Sequence, residues 1–315
     1  MTRYLITGGA GFIGSALVRA LLAAGDCRIR IVDNLLTGSE ANIEEIRSRI
    51  EWDQSDIRDA AAMISAIRGS DIVFHLAAIP SVPRSIKDPV PSHEVNVDGT
   101  FNVLRACVDA KVRRVVYAAS SSAYGDTDVL PKVETMLPRP KSPYAAQKLM
   151  GEYYAGVFHA CFGLETVALR FFNVYGERQD PSSPYSGVLS LFLKALIERC
   201  SPVIFGDGEQ TRDFTYVEDV AALCCKAAVA PEAAGKVYNA GNGNRYSLNY
   251  VWHLLEEIEG IRLPPNYGPP RAGDVRDSQA DTLAARRDLG HDPQYTLEQG
   301  LRRTLAWFRA SYQAR

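Results

Sequence analysis

The chain has 315 residues, of which 46% are hydrophobic and 23% charged, and its formal net charge is −2. This length can bury a sizeable core, in one large domain with a smaller lobe. The near-neutral balance and the lack of an apolar run of ~18 residues argue against nucleic-acid and membrane partners. Six cysteines without C-x-x-C spacing favour reduced thiols. We therefore expect a cytoplasmic protein, and its strand-like first residues predict no signal peptide.

The first residues of the chain predict a strand, a tight turn and a helix. A β-forming run from Tyr4 leads into Gly8, Gly11 and Gly14, and apolar residues at helical spacing follow. Glycines let the backbone bend and approach a ligand closely. The N-terminus of the helix then offers free N–H groups to a pyrophosphate. This combination predicts a dinucleotide site.

A second β-like run ends in Asp33, nineteen residues after Gly14. A carboxylate at this position would accept hydrogen bonds from an adenosine ribose. It favours NAD over NADP, because it would repel a 2′-phosphate. Further cofactor contacts are expected from neighbouring residues and from later strand ends, namely Phe12, Ile13, Asn34, Thr37, Gly38, Asp56, Ile57, Leu76, Ala77 and Ala78.

The first half of the chain alternates strand and helix patterns. Apolar strands are predicted over 50–53, 71–78 and 112–119, and helices over 59–68 and 96–110. This alternation predicts an α/β fold with a doubly wound parallel sheet. Ligands bind along the carboxyl ends of the strands in such sheets.

The second half of the chain has more proline, glycine and serine between its elements. We expect a cofactor domain over 1–173, to which some later segments return, and a smaller substrate lobe mainly over 174–315. In this second half, helices are predicted over 188–199, 217–228, 248–260 and 297–308, and short strands of the lobe over 203–205 and 237–239.

Three residues predict redox chemistry on an alcohol. Ser120 ends a strand, and Tyr144 and Lys148 share one face of a later helix. A nearby ammonium favours the phenolate of Tyr144, which can then take a proton from an alcohol while hydride leaves the same carbon. Ser120 would hydrogen-bond the same oxygen. His75, at the end of another strand, is interpreted as a core histidine rather than a base.

These motifs resemble those of the extended short-chain dehydrogenase/reductases, in their sugar-nucleotide epimerase/dehydratase branch. The resemblance covers essentially the whole chain and implies a Rossmann domain, a C-terminal nucleotide-sugar lobe and tightly held NAD. The motifs are Gly8-x-x-Gly11-x-x-Gly14, Asp33-Asn34, His75-Leu-Ala-Ala78, Ser120-x-x-x-Tyr124-Gly125, Tyr144-x-x-x-Lys148 and Arg170-Phe-Phe-Asn-Val-Tyr-Gly176. The last of them adds Phe171 to the expected cofactor contacts.

The resemblance also narrows the reaction. Dehydratases of this branch have an Asp-Glu pair just after the Ser/Thr position, and decarboxylases resemble them in having a Glu there. This chain has Ser121 and Ser122. The resemblance therefore implies epimerisation at C4, in which hydride moves to NAD and returns to the other face of a 4-keto sugar.

The UDP-binding elements of the family resemble two stretches of this chain. Arg212 and Arg271 would clamp the diphosphate, since guanidinium groups suit phosphate oxygens, and Asp274 would accept from the uridine ribose. The other expected substrate contacts are Ser81, Ser122, Tyr144, Asn173, Val188, Phe205 and Ser278, of which Val188 and Phe205 are candidates for the uracil pocket.

The position of Ser278 borders the C2 substituent of the sugar in UDP-hexose 4-epimerases. A small residue there leaves room for an N-acetyl group, which favours UDP-GlcNAc and UDP-GalNAc, with possible UDP-glucose and UDP-galactose activity. The alternatives are a UDP-glucose 4-epimerase proper, a UDP-glucuronate 4-epimerase with Arg84 as the candidate for the carboxylate, and a non-catalytic NAD-binding sensor.

Similar enzymes form homodimers by pairing two helices from each subunit. The corresponding segments, 96–110 and 144–162, carry more apolar residues than one buried face needs, including Phe158 and Phe162. The resemblance therefore implies a homodimer.

Overall fold

A seven-stranded parallel sheet forms the centre of the computed structural model, which describes residues 1–180, 187–270 and 275–313. The strands are β1 (Thr2–Thr7), β2 (Cys27–Val32), β3 (Glu51–Asp53), β4 (Ile72–His75), β5 (Arg114–Ser120), β6 (Glu165–Phe171), β7 (Val174–Tyr175), β8 (Val203–Phe205), β9 (Thr211–Arg212), β10 (Thr215–Tyr216), β11 (Lys236–Ala240), β12 (Tyr246–Ser247) and β13 (Asn266–Gly268). The sheet has the order β11-β6-β5-β4-β1-β2-β3. This is the predicted doubly wound, Rossmann-type fold.

Helices cover both faces of the sheet and build a separate lobe. They are α1 (Phe12–Ala24), α2 (Ala60–Ile67), α3 (Val82–Lys87), α4 (Pro89–His93), α5 (Thr100–Asp109), α6 (Pro143–Phe162), α7 (Val188–Ile197), α8 (Val217–Val229), α9 (Leu248–Glu259), α10 (Leu283–Leu289) and α11 (Leu297–Gln313). Short 3₁₀ turns lie at Glu40–Asn42, Glu44–Arg49, Ser121–Tyr124 and Pro231–Ala233, and a π-helical turn, Glu94–Gly99, leads into α5.

The central strands are buried on both sides because their successive side chains point to opposite faces. Leu5 packs with α2 and α5 on one face, whereas its neighbour Ile6 packs with α1 and α8 on the other. Val115 and Val116 divide in the same way. This explains why the strands have continuous apolar runs in the sequence.

The strand predicted over 237–239 does not belong to the smaller lobe. It is part of β11, which pairs with β6 at the edge of the main sheet. Helix α8 likewise packs against α1, so late segments complete the first domain. A run of alternating residues predicts a strand but not the sheet that it joins. The division of the chain after residue 173 stays a prediction.

The smaller lobe has its own apolar core between α7, α9 and α11. Phe192 and Trp252 pack edge to face, with 5.4 Å between ring centroids, and Phe308 joins the same cluster. Two short strand pairs, β8 with β13 and β9 with β12, flank these helices. In the described part of the chain, no helix combines the length and apolar character needed to cross a bilayer.

Candidate active site

A cavity of about 500 Å³ runs along the carboxyl ends of the strands. It is lined by most of the residues that the sequence predicted for the site. For the cofactor these are Gly8, Gly11, Phe12, Ile13, Asp33, Asn34, Thr37, Ile57, Leu76, Ala77, Ala78 and Phe171; for catalysis Ser120, Tyr144 and Lys148; and for the substrate Ser122, Asn173, Arg212 and Ser278.

The glycine turn between β1 and α1 forms one end of the cavity. Gly8 has a φ of +74°, and a Cβ there would lie 2.8 Å from the backbone nitrogen of Ala77. The Gly11 N–H donates to the Gly8 carbonyl (3.1 Å). Gly11 is also the N-cap of α1 and has no side chain to cap the first turn. The N-terminal amides of the helix are therefore available to an anion.

Asp33 is held at the end of β2 by two backbone amides. The Ala10 N–H donates to Oδ2 (3.0 Å) and the Leu35 N–H to Oδ1 (2.9 Å). Burial raises the pKa of Asp33, and these two hydrogen bonds oppose the rise. Gly38 does not line the cavity, but a Cβ there would lie 2.9 Å from both carboxylate oxygens. Gly38 therefore makes room for Asp33.

Asp56, a predicted cofactor contact, is not itself among the residues that line the cavity. Asn34 donates to Asp56 through Nδ2 (2.8 Å), and Arg58 donates to the same carboxylate (2.7 Å). The hydrogen bonds from Arg58 and its positive charge lower the pKa of Asp56 to about 2. Asp56 therefore orients Asn34, which does line the cavity.

Ser120 and Tyr144 meet at the centre of the cavity. Ser120 ends β5, and its Oγ accepts from the Ser122 N–H (3.2 Å) and the Ser122 hydroxyl (2.8 Å). The hydroxyl of Ser120 also lies close to the Tyr144 side chain. Tyr144 lies in the first turn of α6, which Ser142 caps, and the Tyr144 N–H donates to Ser85 Oγ (3.1 Å).

Lys148 lies one turn after Tyr144 and is 4% exposed. Burial lowers the pKa of Lys148 to about 7 and raises that of Tyr144, while the nearby hydroxyl of Ser120 opposes the rise at Tyr144. The sequence had predicted that Lys148 would favour the phenolate. Burial outweighs the effect of Lys148 on Tyr144, because burial disfavours both the phenolate of Tyr144 and the ammonium of Lys148.

His75 is a core residue, as the sequence analysis expected. Its two ring nitrogens bond the hydroxyls of Thr7 (2.7 Å) and Thr100 (2.9 Å), and the side chain is buried. Burial lowers the pKa of His75 to about 3. The imidazole is therefore neutral at physiological pH and does not line the cavity.

Three predicted substrate residues gather around β9 and the residues that follow it. Arg212 donates to the carbonyls of Thr211 (2.9 Å) and Arg276 (3.1 Å). The Ser278 N–H donates to the Thr211 carbonyl (3.1 Å). Asn173, which has a φ of +25°, donates to the Asp213 carbonyl (3.3 Å). Residues distant in sequence thus reach the same side of the cavity.

Other predicted substrate residues lie outside the lining of the cavity. Ser81 caps α3, where its Oγ accepts from the Arg84 N–H (3.1 Å), and neither residue lines the cavity. Val188 begins α7, and its neighbour Gly187 takes the lining position. Phe205 packs beside Gly268. Two predicted residues, Arg271 and Asp274, lie outside the described residues.

Sequence reasoning missed two lysines that line the cavity. Lys132 is 1% exposed, and its Nζ donates to the Thr127 carbonyl (2.5 Å). Lys141 forms an ion pair with Asp126 (2.8 Å). No local pattern marks Lys132, because it is buried by backbone pairing with a distant segment, in which its N–H donates to the Gln279 carbonyl (2.7 Å).

The sequence profile of the NAD dependent epimerase/dehydratase family matches residues 4–241. The chain belongs to this family. Its cofactor is accordingly NAD, and two features of the site fit that group. Gly8 leaves open a space beside Ala77 that a Cβ would fill. The carboxylate of Asp33 stands at the end of β2, where a backbone amide holds it.

Similar proteins act on different UDP-sugars. The UDP-glucose 4-epimerase of Mycolicibacterium smegmatis is 38% identical, covering 98% of both chains. A structure of the UDP-N-acetylglucosamine 4-epimerase of Methanobrevibacter ruminantium M1, in complex with UDP-N-acetylmuramic acid, gives a TM-score of 0.93 at 35% identity, covering 98% of this chain and 99% of that one. A structure of the UDP-glucuronic acid 4-epimerase of Bacillus cereus, in complex with UDP-glucuronic acid and NAD, gives a TM-score of 0.93 at 32% identity. It covers 99% of this chain and 100% of that one.

Proposed function

We propose that this protein is an NAD-dependent UDP-sugar 4-epimerase. We further propose UDP-GlcNAc and UDP-GalNAc as its main substrates and UDP-glucose and UDP-galactose as additional ones. The observation that carries the proposal is the meeting of Ser120, Tyr144 and Lys148 in one cavity with the glycine turn and Asp33. A dinucleotide held by the turn would extend along the strand ends toward these three side chains.

The residues of the chain would supply the acid–base chemistry at the C4 hydroxyl of the sugar. Bound NAD would supply the reversible hydride transfer that inverts C4 of the sugar, and the glycine turn and Asp33 would hold it. Tyr144 takes the proton of the C4 hydroxyl as hydride leaves and gives it back as hydride returns. Ser120 holds the same oxygen, and the ammonium of Lys148 stabilises the phenolate. Because the hydride is returned, the overall reaction is an isomerisation.

Two serines argue against elimination of water by this site. Ser121 and Ser122 follow Ser120 and line the cavity, and Ser122 donates its hydroxyl to Ser120. These are the positions at which the dehydratases resembled by the sequence carry acids. A hydroxyl is a much weaker proton donor and acceptor than a carboxyl group in this role.

The nucleotide would lie on the side of β9. Arg212 lines the cavity, and we assign it to the diphosphate together with Arg271, with Asp274 on the uridine ribose. Asn173 would contact the same diphosphate region. The positive φ of Asn173 and its bond to the Asp213 carbonyl hold it at this end of the cavity.

Ser278 supports the choice of an N-acetylated sugar. It lines the cavity, and its backbone is fixed by the hydrogen bond to Thr211. A small side chain at this point leaves room for a substituent at C2. Such a pocket accommodates the acetyl group but does not require it. It therefore distinguishes weakly between acetylated and unsubstituted sugars, by ~1–3 kcal/mol for small groups. This is why the unsubstituted hexoses are included.

A UDP-glucuronate 4-epimerase is the second candidate, and it has a specific observation in its favour. Lys132 and Lys141 both line the cavity, so a carboxylate at C6 could find a cation there. Arg84, which the sequence offered for this purpose, does not line it. The carboxylates of Asp126 and Asp128 near Lys132 weaken this alternative, because they would repel an acidic sugar.

The deciding experiment incubates purified protein separately with UDP-GlcNAc, UDP-glucose and UDP-glucuronate, without added NAD, and follows the products by NMR. We expect inversion at C4 of the first two. A Tyr144→Phe variant should retain NAD and lose at least about 100-fold in rate. If no substrate is inverted even with NAD added, the 4-epimerase proposal is wrong. Turnover of UDP-glucuronate alone would overturn the N-acetyl assignment.

We also propose that the protein forms a homodimer through α5 and α6. The proposal is supported by a continuous apolar surface of Phe101, Met150, Tyr153, Tyr154 and Val157, whose side chains are between 38% and 57% exposed. Phe162 is also exposed, but Phe158 is 3% exposed and belongs to the core of the subunit. Phe158 is therefore not one of the surplus apolar residues, because it packs inward beneath Phe101.

A further inference from the structure

The ammonium of Lys148 lies over the face of an aromatic ring that the proposed reaction does not use. Lys148 Nζ is 4.6 Å from the centroid of Tyr117. Tyr117 lies in β5, three residues before Ser120, and both partners of the contact are buried. A cation within about 6 Å of a ring centroid is attracted by the negative face of the ring.

Tyr117 is fixed in this position from several sides. Its hydroxyl donates to the backbone carbonyl of Lys148 (3.2 Å). Gly151, on the next turn of α6, leaves the space that this hydroxyl occupies, because a Cβ there would collide with the phenol oxygen. The ring also packs against His75, with 5.7 Å between centroids. The ring is therefore built into the underside of α6.

The other charged and titratable groups near Lys148 do not supply a counter-charge. From α6, Tyr144 is held in its neutral form by burial, which raises its pKa. From β4, His75 is neutral because burial lowers its pKa to about 3. Glu152, one turn further along α6, is paired with Arg170 (2.6 Å). Among the described residues, no carboxylate lies within ion-pair distance of Lys148.

We propose that Tyr117 is a positioning residue that keeps Lys148 protonated and in place, through attraction between the ammonium and the ring face. The inference rests on the proposed function, in which charged Lys148 supports Tyr144. Burial alone favours loss of the proton from a lysine. The ring opposes this loss without adding a negative charge. A negatively charged partner for Lys148 would instead disfavour the phenolate of Tyr144.

The test changes the charge distribution of the ring while keeping its shape. Tyr117→Phe is compared with proteins that carry 4-fluoro-, trifluoro- and pentafluorophenylalanine at position 117, all with NAD bound. The protonation of Lys148 is followed by NMR of ¹³Cε-labelled lysine, and its signal is assigned with Lys148→Arg. We expect the pKa of Lys148 to fall stepwise with fluorination, by about one unit over the series.

An unchanged pKa of Lys148 across the series would overturn the proposal, because a merely structural ring of the same shape would give that result. If Tyr117→Phe fails to fold, 3-fluorotyrosine at position 117 keeps the hydroxyl and provides the same comparison with the native ring. The NMR titration needs no substrate. A failure of the epimerase assignment would therefore appear as absent turnover with the pKa trend intact, and the two failures are distinguishable.

Discussion

Glu152 and Arg170 form an ion pair inside the protein, with 2.6 Å between Oε1 and Nη2 and both side chains less than 5% exposed. Glu152 lies two turns after Tyr144 on α6, and Arg170 lies on β6. The guanidinium also lies 4.5 Å from the ring centroid of Tyr124, which lines the cavity. This pair joins the helix of the proposed catalytic residues to the sheet.

The first prediction concerns this pair. Glu152→Ala should lower the free energy of unfolding by about 3–5 kcal/mol, because it leaves the charge of Arg170 buried without its partner. Urea unfolding measures the change. Glu298→Ala is the matched control, since it removes an exposed pair with Arg302 (2.7 Å) and should cost less than about 1 kcal/mol. Equal losses in the two variants would contradict the prediction.

The second prediction concerns the choice between NAD and NADP. Asp33→Asn removes the negative charge that would face a 2′-phosphate but keeps a side chain of the same size. The affinity for NADP relative to NAD should rise by about tenfold or more, since a close like-charge contact costs several kcal/mol. Calorimetry on protein freed of cofactor gives both affinities. Glu51→Gln, on the neighbouring strand, should leave the ratio of NADP to NAD affinity unchanged. An equal change of this ratio in both variants would contradict the prediction.

The third prediction concerns the C2 substituent of the sugar. Ser278→Tyr should reduce kcat/KM for UDP-GlcNAc by at least about tenfold more than for UDP-glucose, because the larger side chain takes the space of the acetyl group. Ser278→Ala is the control, since it keeps the pocket open. Steady-state kinetics on both substrates decides the matter, and equal losses on the two sugars would count against a C2 role for Ser278.

The fourth prediction concerns the apolar surface of α5 and α6. Val157→Glu places a charge in the centre of the proposed interface and should convert a dimer into monomers, because burying an unpaired carboxylate is costly. Light scattering gives the mass of each form. Leu283→Glu changes an exposed apolar residue (71%) elsewhere and should leave the dimer intact. A monomeric native protein would refute the homodimer.

The fifth prediction concerns pH. Burial lowers the pKa of His75 from 6.5 to about 3. Below pH 6.5, His75 is therefore protonated in the unfolded chain but neutral in the folded protein. The free energy of unfolding consequently falls as the pH decreases toward 3. When the pH is lowered from 7 to 5, the free energy of unfolding of His75→Gln should fall by about 2 kcal/mol less than that of the native protein. Urea unfolding at the two pH values measures this, and an equal loss of stability in His75→Gln and the native protein would contradict the prediction.

The sequence allowed the first domain and the cofactor end of the site to be predicted, because local patterns determine both. Gly8, Gly11 and Asp33 stand at fixed spacings, and Tyr144 and Lys148 share a helix face by geometry alone. The family resemblance added Arg212 and Ser278, which also line the cavity.

Contacts between residues far apart in the sequence determine the features of the site that local patterns did not indicate. Asn34, 22 residues earlier in the chain, donates to the carboxylate of Asp56, which does not line the cavity. Lys132 is buried by a segment almost 150 residues later in the chain, around Gln279. The ring of Tyr117 beneath Lys148 joins a strand to a helix. Periodicity within one element contains no information on such pairings.

The position of β11 and α8 affects how the protein can fold during synthesis. β11 protects the outer edge of β6, and α8 covers the apolar side of α1. Both elements leave the ribosome long after the glycine turn has been made. Until then, the growing chain exposes an open strand edge and an apolar helix face, both of which promote aggregation. A fragment cut after residue 173 would retain these exposed surfaces, so we expect it to aggregate more readily than the whole chain.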